Sequence, residues 1–117
     1  MPKVSVLMGV FNCSEFVAEA IESILSQTFS DFELIICDDG SSDDTAAIVK
    51  KYAETDKRIV FVQNDRNYGL AHTLNRCLSL ASGNYLIRMD GDDVSKPERF
   101  QVLLDTAERH PEFDVIG

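Results

Sequence analysis

The stretch VSVLMGVFNCSEFVAEAIESILSQTFSDFELIICDD, residues 4–39, decides the fold of this chain. It begins and ends with continuous apolar runs of strand length, at 4–11 and 32–39, as expected for parallel strands that are covered on both faces. Between the runs, apolar residues recur at helical spacing from Phe16 to Leu25. The stretch is therefore predicted to form a strand, a helix and a second strand.

The same alternation continues along the rest of the chain. Helical patterns and strand-like runs follow in turn: a helix at 41–55, a strand at 58–64, a helix at 69–82, a strand at 84–90, a helix at 97–110 and a last apolar run at 113–117. This alternation predicts an α/β fold with a mostly parallel sheet and helices on both faces, in three layers α/β/α. Because the last run stops within a strand, we expect residues 1–117 to be one domain cut from a longer protein.

Helix ends carry their own signals. Asn12 with Glu15, and Ser41 with Asp44, have the spacing of capping boxes, which predicts that they begin the first and second helices. Gly83 is typical of the residue just past a helix end, and it is predicted to close the third helix.

The composition is that of one globular domain: 117 residues, of which 44% are hydrophobic and 26% charged. The formal charge of -9 repels nucleic acid and anionic membrane surfaces, so neither is an expected partner. No run approaches the roughly 20 apolar residues of a spanning helix, and the N-terminus lacks a secretory signal, so a cytoplasmic location is expected. The cysteines form neither a disulfide framework nor a zinc motif, and Cys37 and Cys77 are predicted to be small buried residues.

The residues that follow the strands define the expected ligand-binding edge, because ligands of open α/β sheets bind outside the carboxyl ends of the strands. They are Phe11 and Asn12, then Asp38, Asp39 and Gly40, then Asp65, Arg66 and Asn67, and finally residues 90–93. The acidic clusters of the chain thus converge on one edge. This edge has no GxGxxG fingerprint, no P-loop and no calcium loop of the EF-hand type.

Asp90 and Asp92 are the candidate metal ligands. Side chains two apart in an extended segment point the same way, so both carboxylates are expected to face one ion while Asp93 points elsewhere. Gly91 has no side chain to block a close ligand. A few hard oxygen ligands suit Mg²⁺ or Mn²⁺, which would relieve the repulsion between the carboxylates and attract a diphosphate. The alternative is a solvated acidic loop that ends the strand.

Asp39 has two interpretations as well. At a strand tip its carboxylate can accept a hydrogen bond from a base or a ribose. The segment DDGSSDDT is also a turn followed by an acidic helix start, which the helix dipole favours.

Residues 2–45, with CDDGSSDDT, and residues 67–100, with GLAHTLN and MDGDD, resemble the nucleotide-sugar-binding half of family 2 glycosyltransferases of the GT-A type. The resemblance covers essentially the whole chain. It implies a Rossmann-like fold and transfer of a sugar from a nucleoside diphosphate donor to an acceptor hydroxyl, commonly with inversion at the anomeric carbon. The partners it implies are a nucleotide-sugar donor and a sugar or glycan acceptor.

The resemblance also assigns roles to residues of the expected edge. By position, Asp39 matches the aspartate that recognises the uracil of a UDP donor, and Phe11 matches an aromatic residue that lies against the base. Asp90 and Asp92 match the family's DxD motif, in which Asp92 would bind Mn²⁺ or Mg²⁺ directly. Asp90 would be a second ligand or would hold the ribose or sugar hydroxyls.

Two arginines near the edge have competing roles. A guanidinium matches phosphate oxygens, so Arg66 is a candidate for binding the base or a phosphate, against an ordinary solvated loop arginine. Arg88 lies inside the fourth strand and is predicted to pair with a neighbouring carboxylate and hold it in place.

No catalytic residue is assigned within this chain. The resemblance implies that the general base is a carboxylate in the acceptor-binding half, C-terminal to the metal motif. His72 is predicted to be a packing or surface residue, and His110 a surface cap at a helix end. Any membrane association of the parent enzyme would involve regions outside these residues.

Two other functions remain open at this point. A phosphorylation-controlled receiver domain also has an α/β sheet, paired aspartates and Mg²⁺, although its aspartate pair follows the first strand and not the second. A nucleotide-binding module without catalysis would need the same donor site and no base.

Overall fold

The computed structural model describes residues 2–109 and 115–116, and its strands and helices alternate as predicted. The elements are β1 (Val4–Val10), α1 (Val17–Leu25), β2 (Phe32–Asp38), α2 (Thr45–Thr55), β3 (Ile59–Gln63), α3 (Leu70–Leu80), β4 (Tyr85–Asp90), α4 (Arg99–Arg109) and β5 (Val115–Ile116). The prediction for His110 lies outside the described residues. Within the described ranges, no helix combines the length and the apolar character needed to cross a membrane.

All strand pairs in the sheet are parallel, and the strand order is β3-β2-β1-β4-β5. The central strand β1 lies between β2 and β4, with Val4 opposite Phe32 on one side and Tyr85 on the other. The order 3-2-1-4 is that of a Rossmann-like half, whereas a receiver domain has the order 2-1-3-4-5. The receiver alternative is therefore wrong.

Helices cover both faces of the sheet, which confirms the three-layer prediction. Helices α1, α2 and α4 pack on one face, and α3 packs on the other. In β1, Val6 and Met8 point to the first face, while Leu7 packs with Cys37 and Cys77 on the α3 face. Burial on both faces explains why β1 is apolar without interruption, and each such side chain contributes about 1.5–3 kcal/mol. Cys37 and Cys77 are buried, as predicted.

The two predicted capping boxes are wrong. Helix α1 begins at Val17 after an N-cap Phe16 that makes no side-chain cap, and the Asn12 side chain instead accepts a hydrogen bond from the N–H of Ser42. At α2, Ser41 Oγ donates to Asp38 at 2.5 Å, and Asp44 makes no side-chain cap. The reason is tertiary: the β1–α1 and β2–α2 loops lie side by side, so their polar side chains bond across to each other or back to a strand.

Gly83 does not close α3, which ends at Leu80 with Ala81 as its C-cap. A Cβ at Gly83 would lie 2.7 Å from the backbone nitrogen of Ser5. Glycine is needed here because the chain enters β4 in close contact with the start of β1, at the end of the sheet opposite the ligand edge.

Candidate functional site

Phe11 and Asp39 come together at the carboxyl ends of β1 and β2. They line one cavity of about 200 Å³, which we call the Asp39 cavity, with residues of the β1 end and of the α3 start: Gly9, Val10, Asn67, Gly69, Leu70 and Thr73. The Phe11 ring is 47% exposed, whereas Asp39 is only 4% exposed. The cavity thus pairs an open aromatic face with a buried carboxylate.

The Asp39 carboxylate is held by the loop between β3 and α3. Its Oδ1 accepts hydrogen bonds from the N–H of Tyr68 at 2.8 Å and from Nδ2 of Asn64 at 3.0 Å. Its Oδ2 accepts one from the N–H of Gly69 at 3.0 Å. Burial raises the pKa of Asp39, but these hydrogen bonds outweigh it and hold the pKa below its ordinary value. The site therefore keeps a fixed anion at neutral pH.

A second cavity, of about 310 Å³, adjoins the first; we call it the Asp92 cavity. It is lined by the β1–α1 loop and by the turn after β4: Gly9, Val10, Phe11, Asn12, Cys13, Phe16, Gly91 and Asp92. Because Gly9, Val10 and Phe11 line both cavities, the end of β1 forms the boundary between them. A single elongated ligand can therefore occupy both.

The predicted metal motif forms a cluster of three carboxylates. Asp90, Asp92 and Asp93 are all exposed, and each has a carboxylate oxygen within 4.8 Å of the other two. The prediction that Asp93 points elsewhere is wrong, because the chain is not extended there. It turns after β4, where the N–H of Asp93 donates to the Asp90 carbonyl at 3.1 Å, and the Asp93 carboxylate accepts from the Asp90 N–H at 3.1 Å.

The turn is set against β1 by Gly91. A Cβ at this position would lie 2.8 Å from Cys13 Sγ and 2.9 Å from Val10 Cγ1. The glycine therefore allows the acidic turn to pack on the end of β1.

The three carboxylates fit a hard divalent cation. They are hard oxygen donors, they are open to solvent, and they leave room for waters or phosphate oxygens, as Mg²⁺ and Mn²⁺ require. Arg88 Nη2 lies 3.5 Å from Asp90 Oδ1, so the predicted pairing of Arg88 with a neighbouring carboxylate is confirmed. Among the described residues this is the one ion pair that involves the cluster, which leaves most of its charge uncompensated.

Arg66 and His72 both contact Tyr68 on the surface. The Arg66 guanidinium lies 5.0 Å from the centre of the Tyr68 ring, and the His72 ring stacks on the same ring at 4.6 Å. Neither is among the described residues that line the Asp39 cavity. His72 is a surface residue, as predicted, and the donor-binding role of Arg66 stays a prediction.

Asn64 is a further residue of this site that the sequence patterns did not single out; it is 5% exposed and contacts Asp39 directly. The apolar run at 58–64 had placed it inside a strand, but β3 ends at Gln63. Asn64 is thus the first residue after β3, just as Asp39 is the first after β2. A polar residue at the carboxyl end of a parallel strand was the signal that would have found it.

Comparison with known proteins places these features in a family. The model of glycosyl transferase family 2 matches residues 5–117. The Bacillus subtilis (strain 168) protein EpsE, which is named as a glycosyltransferase, is 50% identical over 117 residues, which cover 99% of this chain and 42% of EpsE.

Solved structures agree with the fold. TarS of S. aureus (residues 1–349) in complex with UDP has a TM-score of 0.84 and 28% identity, over 93% of this chain and 33% of TarS. The mannosyltransferase PcManGT from Pyrobaculum calidifontis, in complex with GDP-Man and Mn²⁺, has a TM-score of 0.77 and 28% identity, over 86% of this chain and 30% of that protein. The chain therefore spans less than half the length of these relatives.

Proposed function

Since the chain belongs to glycosyl transferase family 2, we propose that it is the donor-binding part of an enzyme that transfers a sugar from a nucleoside diphosphate to an acceptor hydroxyl. The observation that carries this proposal is the position of Phe11, which lines both the Asp39 cavity and the Asp92 cavity. A base in the first cavity and a cation beside the second are what the two ends of a nucleoside diphosphate require.

The donor nucleotide is UDP. A carboxylate has about four acceptor sites, two on each oxygen, and Asp39 Oδ1 already accepts two hydrogen bonds while Oδ2 accepts one. One site on Oδ2 is therefore left for a ligand. The imide of uracil offers a single N–H, whereas guanine offers two adjacent donors that call for both oxygens. The relative TarS binds UDP, which supports this assignment, and PcManGT binds GDP-Man.

Mn²⁺ or Mg²⁺ is the cofactor, held by Asp92 and Asp90, with Asp93 as the third carboxylate of the cluster. When bound, the cation supplies positive charge that stabilises the departing diphosphate. Such a cation also lets a chain with a formal charge of -9 bind an anion. The Mn²⁺ in PcManGT supports this choice.

Transfer itself requires a general base for the acceptor hydroxyl, and we place that carboxylate in the acceptor-binding half of the enzyme, outside this chain. The family resemblance supports inversion at the anomeric carbon and a sugar or glycan as acceptor. We place the enzyme in the cytoplasm. The 117-residue chain is then expected to bind the donor without turnover, as a binding module does.

Calorimetric titration of the chain with UDP and GDP, each with and without Mn²⁺, tests the proposal. We expect UDP to bind at least about tenfold more tightly than GDP and to gain at least about tenfold in affinity from Mn²⁺, each step being about 1.4 kcal/mol. Equal affinity with and without Mn²⁺ would refute the cofactor assignment. Preference for GDP would refute the base assignment.

A further inference from the structure

A chain of hydrogen bonds runs from the surface to the Asp39 carboxylate. Arg76 on α3 donates from Nη1 to Asn64 Oδ1 at 2.7 Å, and Asn64 donates from Nδ2 to Asp39 Oδ1 at 3.0 Å. Arg76 Nη1 also donates to the Gln63 carbonyl at 3.0 Å, which fixes the guanidinium against the end of β3. Arg76 is half-buried, whereas Asn64 and Asp39 are buried.

The orientation of the Asn64 amide is determined on both sides. Its oxygen accepts from Arg76 and lies 3.6 Å from Cys37 Sγ, while its nitrogen donates to Asp39 and to Thr73 Oγ1 at 3.2 Å. If the amide were reversed, its NH₂ would face the Arg76 cation and its oxygen would face the Asp39 anion. Both contacts would then be repulsive, so Arg76 holds the amide with its donor toward Asp39.

We propose that Asn64, oriented by Arg76, is a positioning residue that occupies Asp39 Oδ1 and so leaves a single acceptor site, on Oδ2, for the base of the donor. This inference rests on the proposed function, in which Asp39 binds the base. It goes further by assigning the choice of base to a residue outside the cavity lining. Neither Asn64 nor Arg76 is among the described residues that line the Asp39 cavity.

Tyr68 and Gly69 donate to Asp39 through their backbone N–H groups. A change of side chain at either position therefore does not remove its hydrogen bond. Asn64 provides the one side-chain nitrogen that donates to Asp39 among the described residues. It is therefore a position at which substitution alters the acceptor pattern of Asp39 without altering Asp39.

The test uses four variants of the 117-residue chain. Asn64→Ala removes the donor, and Arg76→Met removes the orienting cation from a half-buried position, where unfolding is a smaller risk. Arg76→Lys restores a cation of similar reach. Ser5→Ala is the matched control, because Ser5 is a buried hydroxyl that bonds Glu33 at 2.6 Å at the opposite end of the sheet. Calorimetry in the presence of Mn²⁺ measures the binding of UDP and of GDP. Each variant is measured by itself and in combination with Asp39→Ala.

The expected result is a loss of selectivity. Asn64→Ala and Arg76→Met weaken UDP binding about tenfold and lower the preference for UDP over GDP, as expected for loss of a charge-assisted hydrogen bond. Arg76→Lys recovers most of the loss, and Ser5→Ala stays within about twofold of wild type. In the Asp39→Ala background, Arg76→Met has no further effect, because the two residues act through one contact.

A ligand-free measurement separates this inference from the proposed function. The Asp39 carboxyl, titrated by ¹³C NMR, is expected to have a higher pKa in Asn64→Ala and in Arg76→Met than in wild type, because the Asn64 hydrogen bond lowers that pKa and Arg76 orients Asn64. An unchanged Asp39 titration, or UDP selectivity equal to that of Ser5→Ala, would overturn the positioning role and leave the proposed function intact. A wild-type chain that binds no nucleoside diphosphate would overturn both.

Discussion

Asn12 and Ser42 lie 30 residues apart in the chain, and the Asn12 side-chain oxygen accepts a hydrogen bond from the Ser42 N–H at 2.9 Å. The N–H of Asn12 donates in return to Ser41 Oγ at 2.9 Å. These bonds join the loop that carries Phe11 to the loop that follows Asp39. Asn12 has a φ of 46°, in the left-handed region that asparagine tolerates better than most residues.

We expect Asn12→Ala to lower the free energy of unfolding by about 2–3 kcal/mol, because it loses the bond to Ser42 and because alanine tolerates the left-handed region less well than asparagine. Asn12→Gly loses the bond without that strain and should cost about 1 kcal/mol. Urea denaturation measures both. The control is Glu15→Ala, for which a change within about 0.5 kcal/mol is expected because Glu15 is exposed. Equal losses for Ala and Gly would contradict the role of backbone conformation.

Phe11→Ala is expected to weaken UDP binding about tenfold or more, to a similar extent with and without Mn²⁺, because stacking on a base is worth about 1–3 kcal/mol. Phe16→Ala is the matched control: Phe16 is about as exposed as Phe11, at 51% against 47%, and it lines the Asp92 cavity but not the Asp39 cavity. Calorimetry on both variants should show the larger loss for Phe11. If Phe16→Ala weakened binding more, the base would not lie on Phe11.

Asp92→Asn is expected to abolish the gain in UDP affinity from Mn²⁺ while leaving the metal-free affinity within about twofold, because it removes one charged oxygen ligand. Since Asp93 lies within the same cluster, Asp93→Asn should reduce Mn²⁺ binding too, a result that a two-aspartate site would not give. Electron paramagnetic resonance of free Mn²⁺ measures direct binding to each variant. Asp105→Asn, on the exposed face of α4, removes the same charge and should change nothing.

Asp43 is expected to make stability depend on pH in the acid range. Hydrogen bonds from Thr45, and then from the N–H of Ser14, lower the pKa of Asp43 from 3.8 to about 2. Because the folded-state pKa is depressed, the ionised carboxylate stabilises the fold fully above pH 4, and this contribution is lost as the pH falls toward 2.

Urea midpoints between pH 6 and about pH 2.5 test this expectation. The midpoint of Asp43→Asn should fall less steeply than that of wild type over the acid part of the range. Asp44→Asn is the control: it removes the charge of the neighbouring residue, whose side chain makes no cap, and its urea midpoint should fall as steeply as that of wild type. Parallel curves for Asp43→Asn and wild type would show that the Thr45 and Ser14 bonds do not stabilise the anion.

The fold was predictable because it rests on repeated local patterns. Continuous apolar runs at β1 and β2 follow from burial on both faces of a parallel sheet, and the helix between them follows from spacing. The strand ends then placed Phe11, Asp39 and Asp90 on one edge without knowledge of any contact.

The helix starts were not predictable in the same way. A capping box assumes that Asn12 bonds within its own helix, but the same side chain can equally bond a neighbouring loop, and here Ser42 is the partner. Likewise, the direction of the Asp93 carboxylate depended on a turn at Gly91 that packing against Cys13 and Val10 requires.

The sequence by itself determined the alternation of strands and helices and the sheet edge on which Asp39 and Asp92 lie, because periodicity and strand ends are local properties. The tertiary structure alone decided which donors surround Asp39, that Arg76 orients Asn64 toward it, and that Asp93 joins the acidic cluster. The physical reason is that these hydrogen bonds are selected by how loops and turns pack: Asn64 and Asp39 lie 25 positions apart and Arg76 and Asn64 lie 12 apart, and no spacing rule selects one partner over another.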